Sequence, residues 1–403
     1  MADQTTIIPK GWKMTTLGEV AVLNYGKALV AENRSRGEIP VYGSSGITGW
    51  HDEPLVKEKG LIIGRKGTVG VIYKSEISFY PIDTVYYITQ KDTQCDLNFL
   101  YNLLLSLGLD KMNSDSAVPG LNRENAYAKS IFFPPLPEQR AIAAVFSSFD
   151  DKIELLREQN KALEAIAQAI FKEWFVNFNF PNKEGKPYKA SGGKMIPSEL
   201  GDIPDGWRAG KIKDLIDILS GFAFSSSDFS QDGKYKLVTI KNVQDRYFDS
   251  ETKDKLTELP ERMPDYCKLD SGDILLSLTG NVGRICLVNG EHYLLNQRVA
   301  KLRPKNPIDY AFSYLLFLQN SIFSLLQTTA SGTAQQNLSP IQTKEIEIVI
   351  AKRKTLDQFG AVANKLIQKI NNNSSQIQTL STLRDTLLPK LMKGEIRVKG
   401  FGE

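Results

Sequence analysis

The sequence predicts an α+β protein: two globular mixed α/β domains in tandem, each followed by a long helix. Three observations predict it. The chain repeats itself at a slowly growing shift, and such repeats define architecture before anything else does. Each copy opens with short β-like runs broken by Gly, Ser, Asn and Asp. Each copy closes with a heptad-patterned stretch. A chain of 403 residues, 41% hydrophobic and 24% charged, fits two or three soluble globular domains. It excludes a disordered or collagen-like polymer.

The repeat begins at Gly11-Trp12-Lys13, which matches Gly206-Trp207-Arg208 at a shift of 195. Gly67-Thr68-Val69-Gly70 matches Gly280-Asn281-Val282-Gly283 at 213, and Leu163 meets Leu380 at 217. The growing shift implies short insertions in the loops of the second copy. Strand-like runs are Leu61-Ile62-Ile63, Val85-Tyr86-Tyr87-Ile88, Ile274-Leu275-Leu276 and residues 346–350. One apolar helix is expected in each set, near residues 99–107 and 311–326. The second of these holds Ser313, Gln319, Asn320 and Ser321, too polar for a membrane span.

The first long helix starts where Pro134, Pro135 and Pro137 punctuate the chain, with Pro137 suited to the first turn. Its seam runs Ile153, Leu156, Asn160, Leu163, Ala167, Ile170, Trp174. The last helix runs Leu366, Ile370, Asn373, Ile377, Leu380, Arg384, Leu387, Leu391. Alternating steps of three and four favour a coiled coil over a broader amphipathic stripe packed on each domain. Asn160 and Asn373 would fix its register. Pro389 is expected to end or kink the last helix.

The domains are therefore placed at 1–137 and 205–351. Helices span 138–180 and 352–394, a Gly/Pro-rich linker fills 181–204, and a tail covers 395–403. The linker is expected to let the second domain begin far from the end of the first helix. Net charge is +4 overall, but residues 352–400 carry +7 and residues 138–180 carry −2. That difference favours pairing of the two helices, although exposed pairs are individually weak.

The search for chemistry excludes more than it finds. No GxxxxGK[ST] loop and no strand–GxGxxG–helix occurs. The Asn/Asp-Pro-Pro-aromatic string of amino-methyltransferases is absent. A nuclease pattern can be forced on Pro204-Asp205 and Asp232-Gly233-Lys234, but Asp-Gly is a turn signal. His51 and His292 sit in no nucleophile motif, and Cys95, Cys267 and Cys286 form no metal or disulfide spacing. No catalytic residue, metal site or cofactor site is expected in this chain. The opening residues show no basic-then-apolar leader, and a reducing cytoplasm is expected.

What remains is polar loops in matched places. In the first copy they supply Ser44, Ser45 and Thr48; Arg65, Lys66 and Thr68; Asn122 and Arg123. In the second they supply Lys241, Asn242 and Gln244; Thr279 and Asn281; Thr333, Gln335, Gln336 and Asn337. Arg and Lys suit guanine edges, Asn and Gln adenine, Ser and Thr either, and all can hold phosphates. These are the candidate DNA-binding residues.

The order of motifs resembles the specificity subunit of type I restriction–modification systems over nearly the whole chain. The resembling strings are Val41-Tyr42-Gly43-Ser44-Ser45-Gly46-Ile47, Gly64-Arg65-Lys66-Gly67-Thr68-Val69-Gly70 and Phe133-Pro134-Pro135-Leu136-Pro137-Glu138-Gln139. They continue with Ala169-Ile170-Phe171-Lys172-Glu173-Trp174-Phe175, Ser331-Gly332-Thr333-Ala334-Gln335-Gln336-Asn337-Leu338 and Leu387-Leu388-Pro389-Lys390-Leu391-Met392-Lys393-Gly394-Glu395-Ile396. One departure is Ala351-Lys352-Arg353-Lys354, which lacks the family's Pro-rich lead-in to the last helix and puts its start in question.

The resemblance implies two target-recognition domains, each reading half of a bipartite asymmetric target in double-stranded DNA. It implies an antiparallel coiled coil with pseudo-two-fold symmetry that sets the spacer. The first seam would be about 33 Å long at ~1.5 Å per residue, close to the ~34–36 Å of one DNA turn. It implies two methyltransferase subunits bearing S-adenosylmethionine, and two motor–nuclease subunits using ATP and Mg2+. Adenine must leave the stack to be methylated, so the DNA would be bent or opened. The alternatives are a specificity subunit of another modification or phage-defence system, a coiled-coil protein scaffold, and a nuclease with a cryptic site.

Overall fold

The computed structural model describes residues 8–112, 120–330 and 336–401. It divides into two units: Met1–Ile153 with Leu380–Glu403, and Glu154–Thr379. Each is built around an antiparallel four-stranded sheet.

In the first unit the strands are β1 (Lys13–Thr16), β2 (Asn24–Tyr25), β3 (Ile39–Gly43), β4 (Gly46–His51), β5 (Gly60–Gly64), β6 (Ile72–Ser75), β7 (Tyr80–Pro81), β8 (Val85–Thr89) and β9 (Ser130–Phe133). Helices α1 (Leu17–Val20), α2 (Leu97–Ser106) and α3 (Arg123–Tyr127) accompany them, and α4 (Leu136–Phe171) begins here. One sheet has the order β2-β8-β5-β6 and a second the order β4-β3-β7. All of β5 is buried, as its unbroken apolar run requires. The period of two sends Leu61 and Ile63 to a core shared with Phe99, Leu100 and Phe146, and Ile62 to a smaller one with Tyr42 and Phe79. Asp96 caps α2 by accepting from the Asn98 and Phe99 amides. β1 and β9 pair antiparallel, so the domain starts and finishes at one place, with Lys13 opposite Phe133.

The chain's end completes this core. Leu391 and Met392 are buried in it. Glu138 is 1% exposed and takes Trp12 Nε1 at 2.8 Å and Arg397 Nε and Nη2 at 2.9 and 2.7 Å. Of the two expectations for Pro389, that it end the last helix is not met, since the helix runs on to Met392. It lies in the final turn, where one lost amide bond is outweighed by burial of the two residues that follow.

The second unit repeats the plan with additions. Its strands are β10 (Met195–Ser198), β11 (Gly201–Pro204), β12 (Arg208–Lys211), β13 (Ile216–Ser220), β14 (Phe229–Ser230), β15 (Tyr235–Val238), β16 (Lys255–Leu256), β17 (Lys268–Leu269), β18 (Ile274–Ser277), β19 (Ile285–Leu287), β20 (Tyr293–Leu295), β21 (Val299–Pro304) and β22 (Glu347–Ile350). Its helices are α5 (Ile212–Leu215), α6 (Tyr310–Phe317), α7 (Asn320–Thr329), α8 (Pro340–Lys344) and α9 (Arg353–Met392), the last continuing into the first unit. The sheet β13-β21-β18-β19 answers β2-β8-β5-β6, and the β12–β22 pair answers β1–β9. The second sheet has five strands here, β14-β16-β15-β20-β17, and the longer connection between β15 and β16 holds much of the insertion. Gly26 and Gly221 are matched close approaches: a Cβ would sit 2.0 Å from Ile82 O and 2.2 Å from Asn296 O.

Two expectations are corrected in this unit, and the start of the last helix, left in question by the sequence, is defined. The single apolar helix is two, because Gln319 is extended (ψ 134°) between α6 and α7. The linker is folded: β10 and β11 form a hairpin, and Phe180 stacks on Trp207 and Tyr188 at 4.9 and 4.6 Å. The second domain thus starts beside the end of the first helix. The start of α9 is fixed without prolines by Arg353, which binds buried Asp309 and also Asp357.

Ile153, Leu156 and Asn373 are buried, and Asn160, Leu163, Ile170, Trp174, Leu366, Ile370, Ile377, Leu380 and Leu387 are half-buried. Leu155, Ile166 and Leu383, apolar but off the seam, are exposed by 51, 49 and 47%. In the second unit Asn373 Nδ2 donates to Asn160 Oδ1 at 2.9 Å, and the Trp174 and Phe359 rings lie 5.6 Å apart, so the two helix segments run in opposite directions. In the first unit Arg384 Nη1 meets Asp150 Oδ1 at 2.8 Å. α9 also buries Leu356, Phe359, Ala363 and Ile367 against its own domain, a second face that the heptad reading did not contain.

Asn373 Oδ1 is buried without a hydrogen-bond partner. Replacing Asn160 and Asn373 together by leucine is expected to stabilise the second unit by about 1–2 kcal/mol, the desolvation cost of that oxygen, while loosening helix register. Urea midpoints measure it. A drop in stability would show that the polar pair holds the helices together.

Candidate nucleic-acid interface

In both units the turn after the central strand is the focus of the site. After β5, Leu121 N donates to Arg65 O at 2.8 Å and Lys66 bridges Gly120. After β18, Leu338 N donates to Leu278 O at 2.7 Å and Thr279 bridges Asn337. The loop before the next long strand forms a further wall. Arg65 N and Lys66 N donate to Thr84 O, and Leu278 N donates to Arg298 O. Gly70 and Gly283 have φ of +72° and +80°, the left-handed geometry that turns the chain out of each β-turn. Asn122 and Ser339 then cap the matched helices α3 and α8.

The first unit brings all its candidate loops together. A Cβ on Gly67 would lie 3.3 Å from Ser44 Oγ. Ser45, Thr48, Lys66, Thr68 and Asn122 are exposed, and Ser44, Arg65 and Arg123 half-buried. Asn122 spends its side-chain oxygen on the Asn125 amide, and Thr48 Oγ1 donates to Val41 O. The Arg65 guanidinium lies 4.9 Å from the Tyr25 ring and 5.7 Å from the Tyr86 ring, and that of Arg123 lies 5.0 Å from Tyr25 and 5.7 Å from Tyr127. Burial pushes the Tyr86 hydroxyl up to about 12, with Tyr25 adding to the shift and the two arginines opposing it. Tyr86 therefore stays neutral and donates to Leu121 O. Tyr25, Tyr86 and Tyr127 were not singled out in the sequence. The cue available was Tyr25 next to the matched Gly26.

The second unit's loops also converge. A Cβ on Gly280 would lie 3.1 Å from Ile240, and Arg284 Nη1 donates to Gln244 Oε1 at 2.6 Å. Lys241, Asn281, Gln336 and Asn337 are exposed, and Thr279 and Gln244 half-buried. Thr333 and Gln335 lie outside the described residues. Asn242 is corrected: at 2% exposure it is an internal brace, not a reader. Its oxygen accepts from Thr239 N and Oγ1, and its Nδ2 donates to Asp249 O and Glu251 O. Asn242→Ala is expected to cost about 1–3 kcal/mol of the second unit's stability by orphaning these groups. Thermal unfolding checks it, and an unchanged transition would refute the brace. Beside it Phe224, Ile240, Lys241, Gln297 and Arg298 line a cleft of about 610 Å³.

Among the described residues no group of three His, Cys, Asp or Glu could hold a metal ion, and no helix is long and apolar enough to cross a membrane. Cys95, Cys267 and Cys286 are buried and free.

Comparison with known proteins gives one answer. Residues 9–165 and 204–373 each match the family described as type I restriction modification DNA specificity domain. The chain is 29% identical to the type I restriction enzyme MjaIX specificity subunit of Methanocaldococcus jannaschii, covering 97% of this chain and 95% of that one. It is 25% identical to the HindI specificity subunit of Haemophilus influenzae, covering 80 and 82%. The fold is similar to the type I restriction–modification S subunit of M. genitalium, with a TM-score of 0.61 and 17% identity over 97 and 98% of the two chains.

Proposed function

The chain belongs to the type I restriction modification DNA specificity family, and on that premise we propose that each unit reads one half of a bipartite, asymmetric double-stranded DNA target. The observation that carries the reading is the matched convergence of loops: Lys66 with Gly120 in one unit and Thr279 with Asn337 in the other, each beside exposed polar side chains. Similar backbone frames bearing different side chains fit two different half-sites. Backbone amides and lysines position the duplex, and Arg, Asn, Gln, Ser and Thr supply base contacts. The helices pair as an antiparallel coiled coil that sets the gap between half-sites.

The chain itself is non-catalytic in this reading. Two methyltransferase subunits bring S-adenosylmethionine and methylate adenine, and two motor–nuclease subunits use ATP and Mg2+ to translocate and cut unmodified DNA. The complex works in the cytoplasm. Co-expression with the neighbouring methyltransferase subunit, followed by long-read mapping of methylated adenines on a plasmid, is the test. A split motif with a fixed gap is expected. Asn337→Ala is expected to relax one half only. A well-formed, S-adenosylmethionine-binding complex that methylates nothing would overturn the proposal.

A further inference from the structure

We infer that Arg65 and Arg123 read guanine in the first unit's half-site, and that Tyr25 is the positioning residue that holds both; the inference rests on the DNA-recognition reading above. Tyr25 is 49% exposed, and the two guanidinium carbons lie 4.9 and 5.0 Å from its ring. Two long flexible side chains are thereby drawn to one surface point, and the rotamer entropy of each is spent before DNA arrives. Arg65 is further tied by Nη1 to Asp83 O at 2.9 Å and lies over Tyr86. Its planar fork is thus oriented, with donors left over from the five it carries.

Two targets suit an oriented arginine, a phosphate and the O6/N7 edge of guanine. The repeat decides between them. In strand register Tyr25 pairs with Tyr86, and the answering pair is Ser220 with Ala300. At the shifts fixed by the loop bridges, Arg65 is answered by Leu278 and Arg123 by Pro340. Tyr25, Tyr86, Arg65 and Arg123 are thus all replaced in the second unit. Phosphates are the same in both half-sites, whereas bases differ. A device built into one reading unit and wholly missing from the other, on a shared backbone frame, reads what differs.

The experiment uses the full chain in complex with its methyltransferase subunit. Methylated motifs are mapped for the native chain and for Tyr25→Ser, Tyr25→Phe, Arg65→Lys and Arg123→Lys, and Asn337→Ala assigns the other half-site. The native motif is expected to contain G·C pairs in the first half. Tyr25→Ser and both lysine variants are expected to lower the preference for guanine there at least about fivefold, the weaker limit for one bidentate arginine–guanine contact. Tyr25→Phe keeps the ring and is expected to retain the preference, as is the second half-site in every variant. A first half without G·C pairs, or Arg65→Lys and Arg123→Lys with undiminished selectivity, overturns the inference while leaving the recognition reading intact. So does a uniform loss of affinity with a shallower salt dependence, the mark of phosphate contacts. Loss at both half-sites with a lowered unfolding transition reduces Tyr25 to a folding role and overturns it too. A native complex with no motif brings down both the inference and the reading beneath it.

Discussion

Arg397→Ala lowers the stability of the first unit by about 3–5 kcal/mol, the usual cost of removing one partner from a buried ion pair. Glu138 is 1% exposed and Arg397's side chain 16%, so little water screens them. Without the guanidinium the carboxylate keeps only the Trp12 indole N–H. The Lys10 carbonyl loses its donor, and the segment after Gly394 loses its anchor. Unfolding in urea, with first-half-site selectivity as the functional readout, measures the effect. A double variant with Glu138→Leu and Arg397→Met is expected to be more stable than Arg397→Ala, since no lone buried charge remains. A change below about 0.5 kcal/mol for Arg397→Ala, the range of ordinary surface substitutions, would show that the tail does not close the unit.

Deleting residues 154–160 and 373–379 together removes one heptad from each helix and both seam asparagines. If the helices set the gap, the distance shortens by ~10.5 Å, about three base pairs at ~3.4 Å each. Methylation of the native target is expected to fall at least about tenfold, with the preferred gap shortened. Full activity is not restored there. A heptad turns a helix by only ~20°, whereas three base pairs turn the duplex by roughly 100° at 10–10.5 per turn. Both half-site sequences stay readable in motif mapping. An unchanged gap would end the ruler idea.

The sequence made local and periodic features visible. A step of three and four marks one face of each helix, and Leu155, Ile166 and Leu383, which lie off that face, are exposed. The matched loops were legible because Gly67 and Gly280 sit at one point of a repeated frame. Non-local features were not. Nothing near Arg397 in the sequence announces Glu138 or Trp12, and nothing near Phe180 announces Trp207. Asn242 looked like a reader because its residue type suits a base edge; its burial comes from the 249–251 segment folding over it. That the helix would run past Pro389 to Met392 was not visible either, because the packing of Leu391 and Met392 is non-local. Tyr25 escaped notice because only strand pairing with Tyr86 reveals that its ring gathers arginines from two distant loops.

The β1–β9 and β12–β22 pairs carry a consequence for inheritance. Each ladder brings the first and last strands of a globular domain side by side, Lys13 against Phe133 and Arg208 against Ile350. Everything between them leaves the scaffold and returns to it at one doorway. A gene segment bounded at those strands can be traded for one of different length, provided it repacks against the helix residues that each core shares, such as Phe146 and Phe359. On the reading proposed above, recombination within the ladders would give a lineage a new half-target in a single step.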